Sequence, residues 1–400
     1  MKSEIEVPDG WKDVSLGKIL NVGTGKKNVQ DSVENGKYPF FTRSVETQRI
    51  NSWSYDCEGL FIAGEGNFSV RHYKGKFELH QRCYLLSALD EKSISMKFLQ
   101  NAIQIKINNL IRTAVKSTVI SLRKPIIENL KILLPPFPEQ QKIADILSKV
   151  DEQIDFTEKV IDKTEVLKKG LMQKLLTKGI GHTKFKKTEL GEIPEKWDIV
   201  RLSETGDSNN SIVAGPFGSN LKVCDYRASG VPIIRLQNIE RNKFVNKAMK
   251  YISKEKAEEL KYHSFKSGDI VLAKLGDPIG KTCIIPNKLD FGIVVADVVR
   301  IRPSKEKADY KFIEFLLNSN YCSKQLSMGT IGSTRPRVNL SHVRNLSIIL
   351  PPLNEQKKIA SILSKVDEQI QDNKKELSQL QELKKGIMQD LLTGKVRVTT

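Results

Sequence analysis

The chain repeats itself. Leu350–Ile370 (LPPLNEQKKIASILSKVDEQI) duplicates Leu134–Ile154 (LPPFPEQQKIADILSKVDEQI), and an ungapped alignment of Leu134–Lys178 on Leu350–Gly394 leaves 27 of 45 positions identical. A shorter pair precedes each copy: Pro8-Asp9-Gly10-Trp11 and Pro194-Glu195-Lys196-Trp197, with Val14/Val200 and Leu16/Leu202 in step. An internal repeat constrains architecture more than any composition figure. Each half has to be a variable domain followed by the same kind of helix. The expected divisions are a first domain over 1–133, a first helical region over 134–180, a second domain over 181–349 and a second helical region over 350–400.

Both copies carry apolar residues at heptad spacing. In the first copy Ile143, Val150, Thr157, Thr164 and Leu171 form one series, and Leu147, Ile154, Ile161, Lys168 and Leu175 its companion. In the second the series are Ile359, Val366, Asn373, Leu380, Ile387 and Leu363, Ile370, Leu377, Lys384, Leu391. Five heptads of this pattern point to a coiled coil, and the stripe outlasts an ordinary globular helix. The other reading is an amphipathic helix lying on a domain. Pro135-Pro136 and Pro351-Pro352 bar an earlier start; Pro138 suits a first turn, and Asn354 is expected to cap the other helix. Glu139 and Glu355 then fall at the positive end of each helix dipole, and Gly179 and Gly394 serve as stops. About 40 residues at a 1.5 Å rise make each helix roughly 60 Å long. Thr157 and Asn373 occupy equivalent seam positions, where a polar residue fixes register at a cost in stability or lies solvated in a frayed seam. Two such helices from one chain are expected to pair antiparallel about a pseudo-twofold axis.

With 65 Lys and Arg against 47 Asp and Glu, the net charge is +18, and the pI is near 9.5. That balance favours a polyanionic partner. No apolar run approaches the roughly 20 residues of a membrane span, and MKSEIEVPDG has no signal-peptide core, so a cytoplasmic protein is expected. Cys57, Cys83, Cys224, Cys283 and Cys322 never form a CxxC pair, which argues against structural zinc; each is expected in apolar packing. His72 lies among basic residues and is a candidate for DNA contact, whereas His80, His182, His263 and His342 read as ordinary surface or packing residues. No metal-ligand spacing is present.

The intervals before the helices read as mixed α/β. Strand-like runs are Tyr38–Thr42, Gly59–Ala63, Tyr84–Ser87, Val231–Leu236, Asp269–Lys274, Thr282–Pro286 and Val294–Ile301; helix-like runs are Lys97–Ile111 and Asp309–Leu317. Glycine-rich turns separate them: Gly64-Glu65-Gly66, Gly215-Pro216-Phe217-Gly218 and Gly276–Gly280. Loops in both domains hold groups that bind nucleic acid. The first offers Arg43, Gln48, Arg49, Asn67, Ser69, Arg71, His72 and Lys74. The second offers Arg235, Gln237, Asn238, Arg241, Lys274, Lys281, Arg335 and Arg337. Arg reads guanine bidentately and Asn or Gln reads adenine, while Lys and Ser mostly hold phosphate. For any one of these residues, phosphate contact or a merely solvated role is the plainer reading.

Catalytic patterns fail on inspection. Gly276–Thr282 has three residues between its glycines, where a phosphate loop needs four. Leu134-Pro135-Pro136-Phe137 has Leu where adenine methyltransferase loops place Asn or Asp. Glu259-Leu260-Lys261 has the spacing of half a nuclease motif but no positioned acidic partner, and Glu382-Leu383-Lys384 shows the same spacing inside the heptads.

The doubled LPPxxEQxxIAxILSKVDEQI block, with LKKGLMQKLLT and LKKGIMQDLLT downstream, resembles the helical regions of specificity subunits of type I restriction-modification systems. TELGEIPEKW (Thr188–Trp197) resembles that family's entry to its second recognition domain, and GKYPFFTRS, GVPIIRLQNI, GLFIAGEGNFSVR and GDIVLAKLGDPIGKT look like its recurring strands. The resemblance implies an α/β (mixed α+β) fold, with two target-recognition domains separated by two long helices forming an antiparallel coiled coil. It implies a non-catalytic subunit in which each domain reads one half of a bipartite, non-palindromic site in double-stranded DNA. The coiled coil would set the spacer and dock two methyltransferase subunits, which methylate adenine with S-adenosylmethionine; no cofactor is expected on this chain. ATP-dependent restriction subunits would complete the complex. Domains in successive major grooves would give half-site centres about ten base pairs apart. The alternatives are a stand-alone DNA-modifying enzyme and a coiled-coil protein scaffold.

Overall fold

The computed structural model describes residues 7–113, 121–330 and 336–399. They form two compact units: Met1–Lys159 with Lys375–Thr400, and Val160–Lys374. The units part inside the long helices.

Unit 1 contains β1 (Lys12–Ser15), β2 (Leu20–Thr24), β3 (Tyr38–Phe41), β4 (Gln48–Ile50), β5 (Tyr55–Ala63), β6 (Arg71–Leu79) and β7 (Cys83–Ala88). Helices α1 (Met96–Thr113) and α2 (Lys124–Glu128), strand β8 (Lys131–Leu134) and the start of α3 (Phe137–Lys178) follow. A six-stranded sheet runs β2-β7-β5-β6-β3-β4, antiparallel except for β3 beside β6, and β1 pairs with β8. The end of β5 is buried on both faces. Leu60 and Ile62 enter a core with Phe98, Leu99 and Ile103 of α1, while Phe61 and Ala63 enter an aromatic cluster with Phe41 and Phe77. Successive side chains of a strand point to opposite faces, so one continuous apolar run serves two cores.

Unit 2 opens with the rest of α3, the hairpin β9 (Phe185–Thr188) and β10 (Gly191–Pro194), then β11 (Asp198–Arg201), β12 (Ile212–Ala214), β13 (Val231–Ile234), β14 (Ile239–Glu240), β15 (Lys243–Phe244) and β16 (Lys250–Ile252). Next come α4 (Lys254–Glu259), β17 (Ser264–Lys266), β18 (Ile270–Ala273), β19 (Thr282–Ile284), β20 (Phe291–Val294), β21 (Val298–Ile301), α5 (Tyr310–Leu317), α6 (Asn320–Met328), α7 (Leu340–Arg344), β22 (Ser347–Leu350) and the start of α8 (Leu353–Leu392). Two four-stranded sheets run β12-β21-β18-β19 and β16-β13-β20-β17. In β18, Ile270 and Leu272 join one core and Val271 and Ala273 another.

Several expectations change here. The run Val294–Ile301 is two strands, because residues 295–297 turn between β20 and β21. α8 begins at Leu353, so Asn354 lies in its first turn and is not its cap. Cys224 is exposed and Cys57 half-buried, while Cys83, Cys283 and Cys322 are buried. Gly179 and Gly394 end the long helices with φ of 65° and 71°, a conformation glycine adopts at little cost.

Every apolar heptad residue is shielded. Ile143, Leu147, Ile161, Leu175, Ile359, Leu363, Ile370 and Leu391 are buried, and Val150, Ile154, Leu171, Val366, Leu377, Leu380 and Ile387 half-buried. In unit 1, Ile143, Leu147 and Leu391 join the core around Trp11; in unit 2, Leu175, Ile359 and Leu363 join the core around Trp197. Each unit pairs its share of α3 with its share of α8, antiparallel. In unit 1, Lys384 is ion-paired with Asp151. In unit 2, Lys168 is ion-paired with Asp367, and Lys374 with Glu165 at 2.6 Å. The two heptad lysines meet aspartates at repeat-equivalent positions, so the contact is reciprocal. Thr157 donates to its own helix through the Gln153 carbonyl at 2.8 Å, and the buried Asn373 Nδ2 has no partner among the described residues.

Candidate nucleic-acid interface

Each unit anchors its domain to the helices with a carboxylate, buried at Glu139 and half-buried at Glu355. Glu139, in the first turn of α3, accepts from the Trp11 indole at 3.0 Å and from Arg397 Nε and Nη2 at 2.8 and 2.9 Å. Arg397 also donates to the Asp9 carbonyl at 2.8 Å. Glu355, at the matching position of α8, accepts from the Trp197 indole at 2.9 Å and from the Ile180 N–H at 3.0 Å, and its Oε1 lies 2.8 Å from His182 Nε2. Burial opposes the charge on both carboxylates. Bonds from Arg397 and Trp11 outweigh it at Glu139, and bonds from Ile180, Trp197 and His182 do so at Glu355, so both titrate below the usual range. His182, read from sequence as ordinary, is part of this anchor. Gln140 and Gln356 repeat a second joint: each donates to a Pro carbonyl (Pro135, Pro351) and accepts a backbone N–H (Ser95, Asp309).

Strand register gathers the loops of each unit at one end. In unit 2, Ala214 pairs with Val299, Ala273 with Val298, and Ile234 with Val294. The ends of β12, β13, β18 and β20 therefore meet at the start of β21. Loops 215–223, 235–238, 274–281 and 295–297 leave there, joined by 336–338, because Val338 N–H donates to the Lys274 carbonyl at 3.0 Å. In unit 1, Thr24 pairs with Tyr84, Ala63 with Cys83, and Phe41 with Leu79. Loops 25–31, 42–47, 64–70 and 80–82 converge there. Gly25 and Gly215 hold matching places: a Cβ on the first would overlap the Leu79 carbonyl and on the second the Val295 carbonyl. Past this shared pinch the units diverge, with Lys26-Lys27 in one and Pro216-Phe217 in the other.

The expected DNA-contact residues divide on this geometry. In unit 1, Arg43 is exposed at the loop end and shares Glu65 with Arg82, at 3.5 and 3.1 Å. Asn67 and Ser69 lie in the same cluster, where Asn67 Oδ1 accepts the Ser69 N–H at 2.8 Å. Arg71 is spent on the fold: it donates to the Thr42 and Ser44 carbonyls at 2.5 and 3.1 Å and lies over the Phe41 ring. Arg49 likewise holds the Gly36 and Lys37 carbonyls, at 2.6 and 2.9 Å. Gln48 is half-buried in β4, with its Oε1 unpartnered among the described residues. His72 and Lys74 sit near the start of strand β6 against Glu58, at 2.8 and 3.3 Å, two and four residues past loop 64–70.

In unit 2, Gln237 is exposed on the rim of a cleft of about 420 Å³ with Leu275, Asp277 and Pro336, and its amide lies 3.4 Å from the Ala248 carbonyl. Lys281 borders the cleft, neutralised by Glu240 at 2.8 Å. Lys274 is half-buried and has no ion-pair partner among the described residues; burial keeps it below the ordinary lysine value, Asp297 opposes this and Arg337 adds to it. Arg337 pairs with Asp297 at 2.9 Å. Arg235 donates to the Ala248 carbonyl at 2.6 Å, and Asn238, fully buried, ties the Val245 and Lys247 carbonyls at 3.0 and 3.1 Å. Asn238 is therefore structural. Arg241 lies elsewhere, lining a charged cleft of about 750 Å³ with Lys168, Lys311 and Asp367. Arg335 falls outside the described residues. Lys26, Arg82, Lys222 and Phe217 are additional exposed groups at these ends. The Gly-Pro-Phe-Gly turn was visible in the sequence; its exposure was not. Gly276–Thr282 joins two antiparallel strands, with no helix to receive a phosphate, and among the described residues no His, Cys, Asp and Glu cluster suits a metal.

The family described as type I restriction modification DNA specificity domain matches residues 8–166 and again 194–382. The type I restriction enzyme MjaVIII specificity subunit of Methanocaldococcus jannaschii is 31% identical, covering 98% of this chain and 95% of that one. The putative MjaX specificity subunit of the same organism is 33% identical over 100% and 97%. The crystal structure of the type I restriction-modification system S subunit from M. genitalium matches with a TM-score of 0.64 at 17% identity, covering 100% of this chain and 99% of that one.

Proposed function

Because the chain belongs to the type I restriction-modification DNA specificity family, we propose that its two units read the two halves of one split, non-palindromic DNA site. The loop end of unit 1 reads one half and that of unit 2 the other. The long helices act as the spacer, and they dock two methyltransferase subunits that supply S-adenosylmethionine and the adenine chemistry. Restriction subunits join that complex, and the chain itself turns nothing over.

One observation carries this reading: an anchor built twice around the same Trp–Glu pair holds two unlike loop ends. Trp11–Glu139 and Trp197–Glu355 fix each domain on the helices by the same indole–carboxylate bond, at 3.0 and 2.9 Å, while Lys26-Lys27 and Pro216-Phe217 leave matching glycines in opposite chemical characters. Equal mounting of unequal surfaces supports the reading of two different half-sites. The excess of cations supports a phosphate-bearing target. Exposed apolar residues on the helices, Phe156 and Leu383 in unit 1 and Val166 and Leu167 in unit 2, support docking of partner subunits there.

The test is removal of one heptad from both helices, with selection of a bound motif from randomised duplexes by the assembled complex. Seven residues remove about 10 Å, or roughly three base pairs. The selected half-sites should stay the same and the spacer should shorten. An unchanged spacer rejects the helices as the ruler.

A further inference from the structure

The most exposed aromatic side chain of unit 2 stands at its loop end. Phe217 is 84% exposed, between the buried Pro216 and the exposed Gly218. Its loop is held firmly. Gly215 N–H donates to the Val298 carbonyl at 2.9 Å, Asn220 N–H donates to the Phe217 carbonyl at 2.9 Å, and Leu221 is buried among Ile233, Ile252 and Ile293. Pinned on both sides, the turn presents one large apolar ring to water. A ring held in this way is available to a partner that can cover it. The charge around it says which: Lys222 is exposed in the same loop, Lys274 follows β18 at the same strand ends, and Arg337, paired with Asp297, is brought beside it by the Val338–Lys274 bond.

We infer that Phe217 is an apolar wedge that inserts at a base step of the half-site read by unit 2. Apolar side chains set among cations unstack and kink duplex DNA in this way, and the cost depends on the step deformed. Specificity at that step would then come from deformability, with pyrimidine–purine steps preferred. This rests on the function proposed above. Unit 1 would lack the device, because Lys26 and Lys27 follow its matching glycine and serve phosphate instead.

The experiment uses the full chain assembled with its methyltransferase subunits. Wild type, Phe217→Ala and Phe217→Leu are compared on the enriched duplex and on a scrambled one, with 2-aminopurine placed in turn across both half-sites. Wild type and Phe217→Leu should brighten the probe at one step in the second half-site. Phe217→Ala should abolish that signal and weaken specific binding about tenfold, with scrambled binding unchanged. Equal binding and equal fluorescence for Phe217→Ala would overturn the wedge alone. So would loss of the methyltransferase subunits on purification, which would make Phe217 a protein contact. A wild-type complex that enriches no split motif would overturn the functional reading, and the wedge with it.

Discussion

The mounts of the two units are nearly copies and their loop ends are not. Each mount sets a Trp indole and a basic side chain on a Glu in the first turn of a long helix: Arg397 on Glu139, His182 beside Glu355. The loop ends share a pinched glycine and then part company. Buried hydrogen-bonded charge tolerates few substitutes, because removing one partner strands the others. Solvated loops carry no such penalty. The duplication persists in the mounts and along the helices, at exposed pairs such as Lys149/Lys365 and Glu152/Glu368 as well as at buried ones, and is lost at the loop ends. Even the mounts differ in one respect: Arg397 makes two bonds to its carboxylate, whereas His182 makes one and the Ile180 N–H supplies the other.

The largest effect should come from breaking a mount. Glu139→Ala leaves the Trp11 indole and Arg397 without their acceptor and should cost about 3 kcal/mol of unfolding free energy, measured by denaturant titration. Glu355→Ala should cost about 2 kcal/mol, since His182 is a weaker donor than a bidentate Arg. Equal losses would erase the asymmetry. Both carboxyls titrate below the usual range when folded, so their stabilisation is complete above the unfolded carboxylate pKa and is lost as pH falls through the folded value. Glu139→Gln should flatten the acid limb of a stability profile.

A smaller effect tests the helix surface. Val166→Asp with Leu167→Asp places charge on exposed apolar positions, so unfolding stability should change by less than about 0.5 kcal/mol. Co-purification with methyltransferase subunits should nonetheless weaken at least about tenfold. Unaltered co-purification would move docking off this face. The smallest effect separates phosphate from base contact. Lys274→Ala should weaken binding about three- to tenfold on every sequence and lower the slope of log affinity against log salt by about one. A change in selected motif instead would make Lys274 a base reader.

Much of the frame was legible beforehand. Heptad positions from Ile143 to Leu175 and from Ile359 to Leu391 are shielded as their spacing requires, since helical periodicity is a local property. Strand runs were legible where apolar residues were continuous, as in Gly59–Ala63, and failed at Val294–Ile301, because the turn Val295-Ala296-Asp297 is short and marked by a single polar residue. The interface was the least legible part. Arg71, Arg49 and Asn238 have the chemistry of base readers but bond to backbone carbonyls, and Arg241 faces another cleft. Residue type announces what a side chain is able to bind; it does not say which neighbour has already claimed it.

The sequence alone settled the doubling, the long helices, the excess of positive charge and the family. All are properties of order and composition along the chain, which exist before folding. Only the tertiary structure decided which cations remain unclaimed, that Glu139 and Glu355 lock each domain to its helices, and that Phe217 stands bare at the end of unit 2. Those depend on distances between segments far apart in the chain, and burial energy, which no local pattern encodes, sets them.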